Sequence, residues 1–315
     1  MPIHRSVTLM LLLLIFLLMI GCTPEQTERE EPLHLLLIAG ESGFFADELY
    51  RGALKKAEEL NCSITLANEV LGSNAAQIST ILSDKRFDGI ILRPSDSLTE
   101  DGLEKLIKVS KVPVITINTE LDSELSPDSK FRIPLTQIGS DYSLAGRMAA
   151  SFLSEELGRS GDLYINSSNP ASAHHERTIL SFYASISGNP AMRMVGIDYG
   201  FRSPERTFFQ TLSILQVHPQ LGAVFTVDES ASQGVLRCLE ETGLQGSLRF
   251  VAWGASAELV EALERGYVHG LIDDDPGGVG REAVHWLARF LREEVRVPER
   301  ISTEFRLRTY AEEEP

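Results

Sequence analysis

From Leu33 onward, short continuous apolar runs alternate with longer segments whose apolar residues recur every three or four positions. Leu33 to Ala39 (LHLLLIA) is closed by Pro32 and Gly40 and is too short for an ordinary helix, so it predicts a strand buried on both faces. Residues 44–60 then place Phe45, Leu49, Ala53, Ala57 and Leu60 on one helical stripe. The same reasoning predicts strands at 63–67, 88–92, 113–118, 162–166, 192–199, 223–227, 250–253, 268–273 and 304–309. It predicts helices at 75–83, 101–110, 144–157, 174–186, 204–217, 230–241, 258–265 and 279–291. Strands alternating with helices require parallel sheets with right-handed crossovers. There are too many units for one small sheet, so the pattern predicts an α/β fold of two doubly wound lobes. In such lobes ligands sit beyond the carboxyl ends of the strands. The loops of interest are therefore 40–45, 93–97, 118–121, 167–175, 228–230, 254–256 and 273–278.

The first 22 residues follow a different rule. Arg5 precedes an almost wholly apolar run from Val7 to Ile20, which as a helix reaches about 21 Å, short of a membrane core of about 30 Å. That is the pattern of a secretory signal. It ends at Gly21-Cys22, which resembles the lipobox of bacterial lipoproteins and implies lipidation of Cys22. Met19 departs from the Leu usual in that motif. Residues 23–32 (TPEQTEREEP) are polar and acidic and predict a flexible tether.

Composition narrows the function classes. The 315 residues are 43% apolar and 23% charged, which excludes long disorder, collagen and coiled coil. A formal net charge of −16 without a basic cluster argues against nucleic-acid binding. Three cysteines exclude a disulfide-stapled scaffold, and Cys62 and Cys238 read as single buried thiols. There is no G-x-S-x-G elbow, P-loop or H-E-x-x-H motif, and no catalytic residue, cofactor or metal ligand is assigned. His174-His175 stand adjacent at a helix start, about 100° apart, and read as one rim group and one solvated group rather than two ligands of one metal. Asp273-Asp274-Asp275-Pro276-Gly277-Gly278 lacks the ligand spacing of a calcium loop and reads as a strand end and hinge turn, its two glycines giving freedom for closure.

Several segments resemble the type I periplasmic binding proteins, the ribose-binding and LacI-like ligand-binding family. They are Ser42-Gly43-Phe44-Phe45 with Gly52 and Ala57, Asp88-Gly89-Ile90-Ile91 with Pro94, and Val112-Pro113-Val114-Ile115. Further along come Ile138-Gly139-Ser140-Asp141 with Gly146, Glu176-Arg177, Phe225-Thr226-Val227-Asp228 with Gly234, and Pro276 with Gly280. Their order over residues 33–290 carries the resemblance. It implies two lobes joined by a three-crossover hinge and closing over a small molecule. On this reading 33–140 plus 275–302 form the first lobe, 141–274 the second, and 303–315 a terminal crossover and tail. No helix-turn-helix precedes the body, so the repressor branch of the family is not expected.

Sugar-binding members hold the ring between aromatics and bond its hydroxyls with Asp, Asn, Arg and Gln. The resemblance puts Phe44, Phe45 and Trp253 at aromatic positions and Glu41, Ser42, Asn118, His175, Arg177, Asp228 and Asp274 at polar ones. Asn118 stands where many members have Asp, Thr119 and His175 where they have Arg, and Gly254 where they have Asp. The remaining set is rich in carboxylates, which favours a donor-rich or cationic ligand (an amino sugar, a polyol, a nucleoside-like molecule or a small amine) over the simple ribose- or galactose-type sugar that the resemblance implies. The expected protein is an exported, lipid-anchored solute-binding protein for an ABC importer, with a membrane permease as partner. Three rivals stand beside it: a ligand-sensing subunit for a membrane kinase or chemoreceptor, a glycan-acting enzyme, and a structural envelope lipoprotein with an empty cleft.

Overall fold

The computed structural model describes residues 31–40, 43–67, 80, 86–94, 112–118, 134–293 and 295–310. Twelve strands and seven helices are formed among them. Of the helix expected at 75–83 only Thr80 is described, and the helix expected at 101–110 and the N-terminal signal lie outside the described residues.

The first sheet has the order β11-β5-β4-β3-β1-β2 and is parallel throughout. Its strands are β1 (Leu33–Ile38), β2 (Cys62–Ala67), β3 (Gly89–Leu92), β4 (Val114–Ile117), β5 (Thr136–Ser140) and β11 (Arg300–Thr303). Every residue of β3 (GIIL) and β4 (VITI) is buried, as continuous apolar runs require in the middle of a covered parallel sheet. Helices α1 (Phe44–Glu59) and α7 (Pro276–Glu293) cover one face, burying Leu49, Ala53, Val279, Ala283 and Leu287 against Leu35, Leu37 and Ile115. The two helices meet backbone to backbone: a Cβ on Gly52 would lie 2.0 Å from the Gly277 carbonyl oxygen, and one on Gly280 would lie 2.2 Å from that of Leu49.

The second sheet has the order β12-β10-β9-β8-β6-β7. Its parallel strands are β6 (Gly161–Ser167), β7 (Met192–Tyr199), β8 (Leu221–Thr226), β9 (Arg249–Trp253) and β10 (Gly270–Asp273). Helices α2 (Tyr142–Glu156) and α3 (Ala173–Ile186) pack around Phe182, Phe225 and Ile165. A second core, around Leu239, Phe250 and Leu263, includes residues of α5 (Glu229–Thr242) and α6 (Ala257–Glu264). Four helix starts are fixed by side-chain caps: Asp141 for α2, Ser172 for α3, Ser203 for α4 (Pro204–Val217) and Asp228 for α5.

The chain passes between the sheets three times, at Ser140–Asp141, at Asp273–Pro276 and at Thr303–Arg306. There the structure differs from expectation in two ways. The strand expected at 304–309 is found as β12 (Arg306–Thr309), which joins the second sheet antiparallel to β10; β11, separated from it by Glu304 and Phe305, was not among the expected strands. Gly277 and Gly278 lie in the first turn of α7, not in a hinge turn. Asp275 holds that turn, accepting from the Gly278 N–H at 2.9 Å, and Gly277 serves close packing against α1. β5 has no counterpart among the expected strands because Thr136, Gln137 and Ser140 are polar yet buried. Neighbouring groups satisfy them: the Thr136 hydroxyl reaches the Glu299 carbonyl at 3.4 Å and Ser140 Oγ meets Thr303 Oγ1 at 2.6 Å.

Candidate functional site

In both sheets the strand order reverses about the first strand, between β1 and β3 and between β6 and β8. A crevice opens at such a switch point beyond the carboxyl ends of the strands. On the first sheet that point is occupied by Arg93, one residue past β3. Its Nη1 donates to the Ala39 carbonyl at 3.1 Å and its guanidinium lies 4.3 Å over the ring of Phe45. Phe44 and Phe45 are half-buried first residues of α1, so they are set by the helix and not by a free loop. Asn118 follows β4 with φ 49, a left-handed conformation that Asn tolerates better than most residues. The turn aims its carbonyl at α3, where His174 Nε2 donates to it at 2.5 Å.

On the second sheet Ser167 and Ser168 end the β6 segment. Ser167 Oγ lies 2.8 Å from His175 Nδ1, in the first turn of α3. Arg177 is half-buried two residues further along the same helix. Asp228 is engaged by the main chain: Oδ1 accepts from the Ala231 N–H at 3.0 Å and Oδ2 from the Ser168 N–H at 2.6 Å, with His175 Nδ1 3.9 Å from Oδ2. It ties the end of β6 to the start of α5.

Trp253 ends β9 and is 6% exposed. Its ring is parallel to that of Tyr142 at 5.9 Å and meets Phe305 edge-on at 5.2 Å, while its indole is hydrogen-bonded to Asp274. Tyr142, Asp274 and Phe305 sit on the three chain crossings, so one indole touches all of them. Tyr142 in turn stacks on His174 at 4.3 Å. Asp274 is 7% exposed, and burial pushes its carboxyl up to about 7; Asp273 adds to this while Arg93 and Trp253 oppose it. Glu229 is likewise pushed up to about 7 by burial, with Glu258 and Asp228 adding and Ser256 opposing. Its carboxyl fills the space over Gly254, where a Cβ would come within 3.2 Å; with φ at +104 that residue must be glycine. A small polar cavity beside the crossings is lined by Asn118, Gln137, Ser140, Tyr142, His174 and Arg300.

Of the residues expected at the site, Glu41, Ser42 and the lipidation residue Cys22 lie outside the described residues. Phe44, Phe45 and Asn118 fall on the first sheet's side of the crossings, and His175, Arg177, Asp228 and Trp253 on the second; Asp274 lies in the middle crossing. The apolar pattern did not single out Arg93, Tyr142 or Glu229, because each is a polar or aromatic residue whose role depends on distant chain. His174, read as a rim or solvated group, is half-buried between Tyr142 and Asn118. Among the described residues no group of three or more His, Cys, Asp or Glu is placed to hold a metal ion. No helix among them is long and apolar enough to cross a membrane.

Residues 35–294 match the family model described as a periplasmic binding protein domain. A ribose import binding protein of Salmonella typhimurium is 22% identical over 264 residues, covering 82% of this chain and 84% of the relative. A D-apiose import binding protein of Actinobacillus succinogenes is 25% identical over 194 residues, or 61% of this chain and 60% of the relative. Among solved structures, a glucose-galactose binding protein from Geobacillus stearothermophilus superposes with a TM-score of 0.74 at 21% identity, covering 90% of this chain and 99% of the other. An ABC transporter solute-binding protein from Agrobacterium vitis, bound with α-D-tagatopyranose, gives 0.77 at 20% identity, with 89% and 95% covered.

Proposed function

The chain belongs to the periplasmic binding protein domain family, and from that premise we propose that it is an exported, lipid-anchored protein that captures a small sugar for an ABC importer. The observation that carries this reading is the placement of aromatic and hydrogen-bonding side chains at the switch point of each sheet, beside three chain crossings tied to one indole. Residues 33–140 plus 275–302 act as one lobe and 141–274 as the other, with 303–315 as the last crossing and tail. A sugar held by both lobes favours the closed arrangement because only that arrangement satisfies all of its contacts. The closed surface is then what the membrane permease recognises. The matched import binding proteins for ribose and D-apiose support a sugar as ligand. Gly21-Cys22 after an apolar run supports the lipid anchor at Cys22.

Thermal melting of the chain from Thr23 onward, with ribose, arabinose, glucose, galactose, tagatose and allose added in turn, tests capture. A ligand at 100 times its dissociation constant adds about 2.7 kcal/mol, enough to raise the midpoint by several degrees. At least one of these sugars is expected to do so, and amino acids are not. Cys22→Ser tests the anchor: loss of membrane association and of the acyl mass supports it, and no change in either overturns it.

A further inference from the structure

Resting on the reading of sugar capture, we propose that Arg93 contacts the ligand directly and selects sugars that carry a carboxylate, so that the preferred ligand class is a sugar acid rather than a neutral sugar or an amine. Counting acidic side chains from the sequence suggests the opposite sign, and the geometry explains the reversal. Asp228, the carboxylate nearest the second switch point, has each oxygen engaged by a main-chain N–H. Its charge also faces His175 at 3.9 Å and is coupled to Arg202, whose main chain bonds Ser168. Asp274 is buried and bonded to the Trp253 indole, and Glu229 is folded over Gly254 beside Ser256. Both of these acids are pushed up to about 7 by burial, so near neutrality each spends much of its time as a neutral acid that can donate a hydrogen bond.

Arg93 belongs to the first switch point. It leaves the end of β3, sits over the Phe45 ring and donates to the Ala39 carbonyl, and these two contacts restrain the planar guanidinium. Its charge also acts on Asp274 at the middle crossing, opposing the effect of burial there. A held guanidinium is suited to paired bonds with a planar carboxylate, a geometry that an ammonium cannot reproduce. The net charge of −16 opposes an anion only weakly, because solvent-exposed charges more than about 8 Å away are largely screened at physiological salt.

The test is calorimetric titration of the full-length protein, in a zwitterionic detergent, with galacturonate, glucuronate, galactose, glucose, galactosamine and glucosamine. One uronate is expected to bind at least tenfold more tightly than its neutral parent and its amine. Arg93→Gln should remove that advantage, so that the uronate binds no more tightly than its neutral parent in the variant, and Arg93→Lys should restore only part of it. A neutral sugar or an amine that binds as tightly as its uronate overturns the inference and leaves sugar capture standing. Unaltered uronate preference in Arg93→Gln overturns the role of Arg93. Binding of none of the six overturns the inference, and if ribose, arabinose, tagatose and allose also fail to bind, sugar capture falls with it.

Discussion

Asp274→Asn exchanges the buried acid at the middle crossing for a group of the same shape that does not ionise. Asp274 is 7% exposed and its carboxyl is pushed from 3.8 to about 7, so the folded protein holds that proton more tightly than the unfolded chain does. Below about pH 4 both states are protonated and the carboxyl carries no penalty. As pH rises the unfolded chain ionises first, and the folded state loses stability until the folded group ionises near pH 7. At ~1.4 kcal/mol for each tenfold change in acidity, the full loss is at most roughly 4 kcal/mol. Roughly 2–3 kcal/mol of it falls between pH 5 and pH 8. Urea unfolding of both proteins at pH 5, 6, 7 and 8 measures the difference directly, and other titrating groups cancel between them. The variant should gain on the parent by that amount as pH rises. A difference that stays constant within about 0.5 kcal/mol, or that moves the other way, refutes the buried-acid argument.

Trp253→Ala removes the ring that contacts Tyr142, Phe305 and Asp274, and should cost about 3–5 kcal/mol in urea unfolding; a loss below about 1 kcal/mol removes its role at the crossings. Asp228→Ala takes away both the α5 cap and the acceptor for Ser168, for an expected loss of about 2–3 kcal/mol, and Asp228→Asn, which keeps the capping oxygen, should lose less than half as much. Gly52→Ala places a Cβ 2.0 Å from the Gly277 oxygen and should destabilise by about 1–3 kcal/mol, whereas Gly188→Ala, with nothing within 4 Å, should fall within about 0.5 kcal/mol of the parent.

The doubly wound architecture was legible wherever strands are buried on both faces, since β1, β3 and β4 are unbroken apolar runs. Helices were legible from their stripes, whereas the capping roles of Asp141, Ser172, Ser203 and Asp228 emerged only from the structure. β5 and β11 were not legible, because the buried polar groups of β5 are paired with residues on and beside β11, 163 positions away, which no local pattern encodes. The site divides along the same line. Types at strand ends could be read from resemblance, so Phe45, Asn118, Trp253 and Asp274 could be named as candidates. The sign of the electrostatics could not, because an aspartate in a sequence does not show whether main-chain donors hold it, as at Asp228, or burial keeps its proton, as at Asp274. Arg93 follows an unremarkable strand and gains its meaning only when β1 and α1 bring Ala39 and Phe45 against it.

The central claim is that a sugar is held between the two sheets beside the segments that join them. The protein has two tryptophans, and Trp286 lies away from the crossings on α7, bonded to Glu282. Trp286→Phe therefore leaves Trp253 as the sole indole emitter, in contact with all three crossings. Titrating that variant with pentoses, hexoses and their uronates should give, for at least one sugar, a saturable change in emission that fits one site per chain. Saturable binding by calorimetry with no change in Trp253 emission would place the ligand elsewhere, and the absence of binding by any of these sugars would contradict the account.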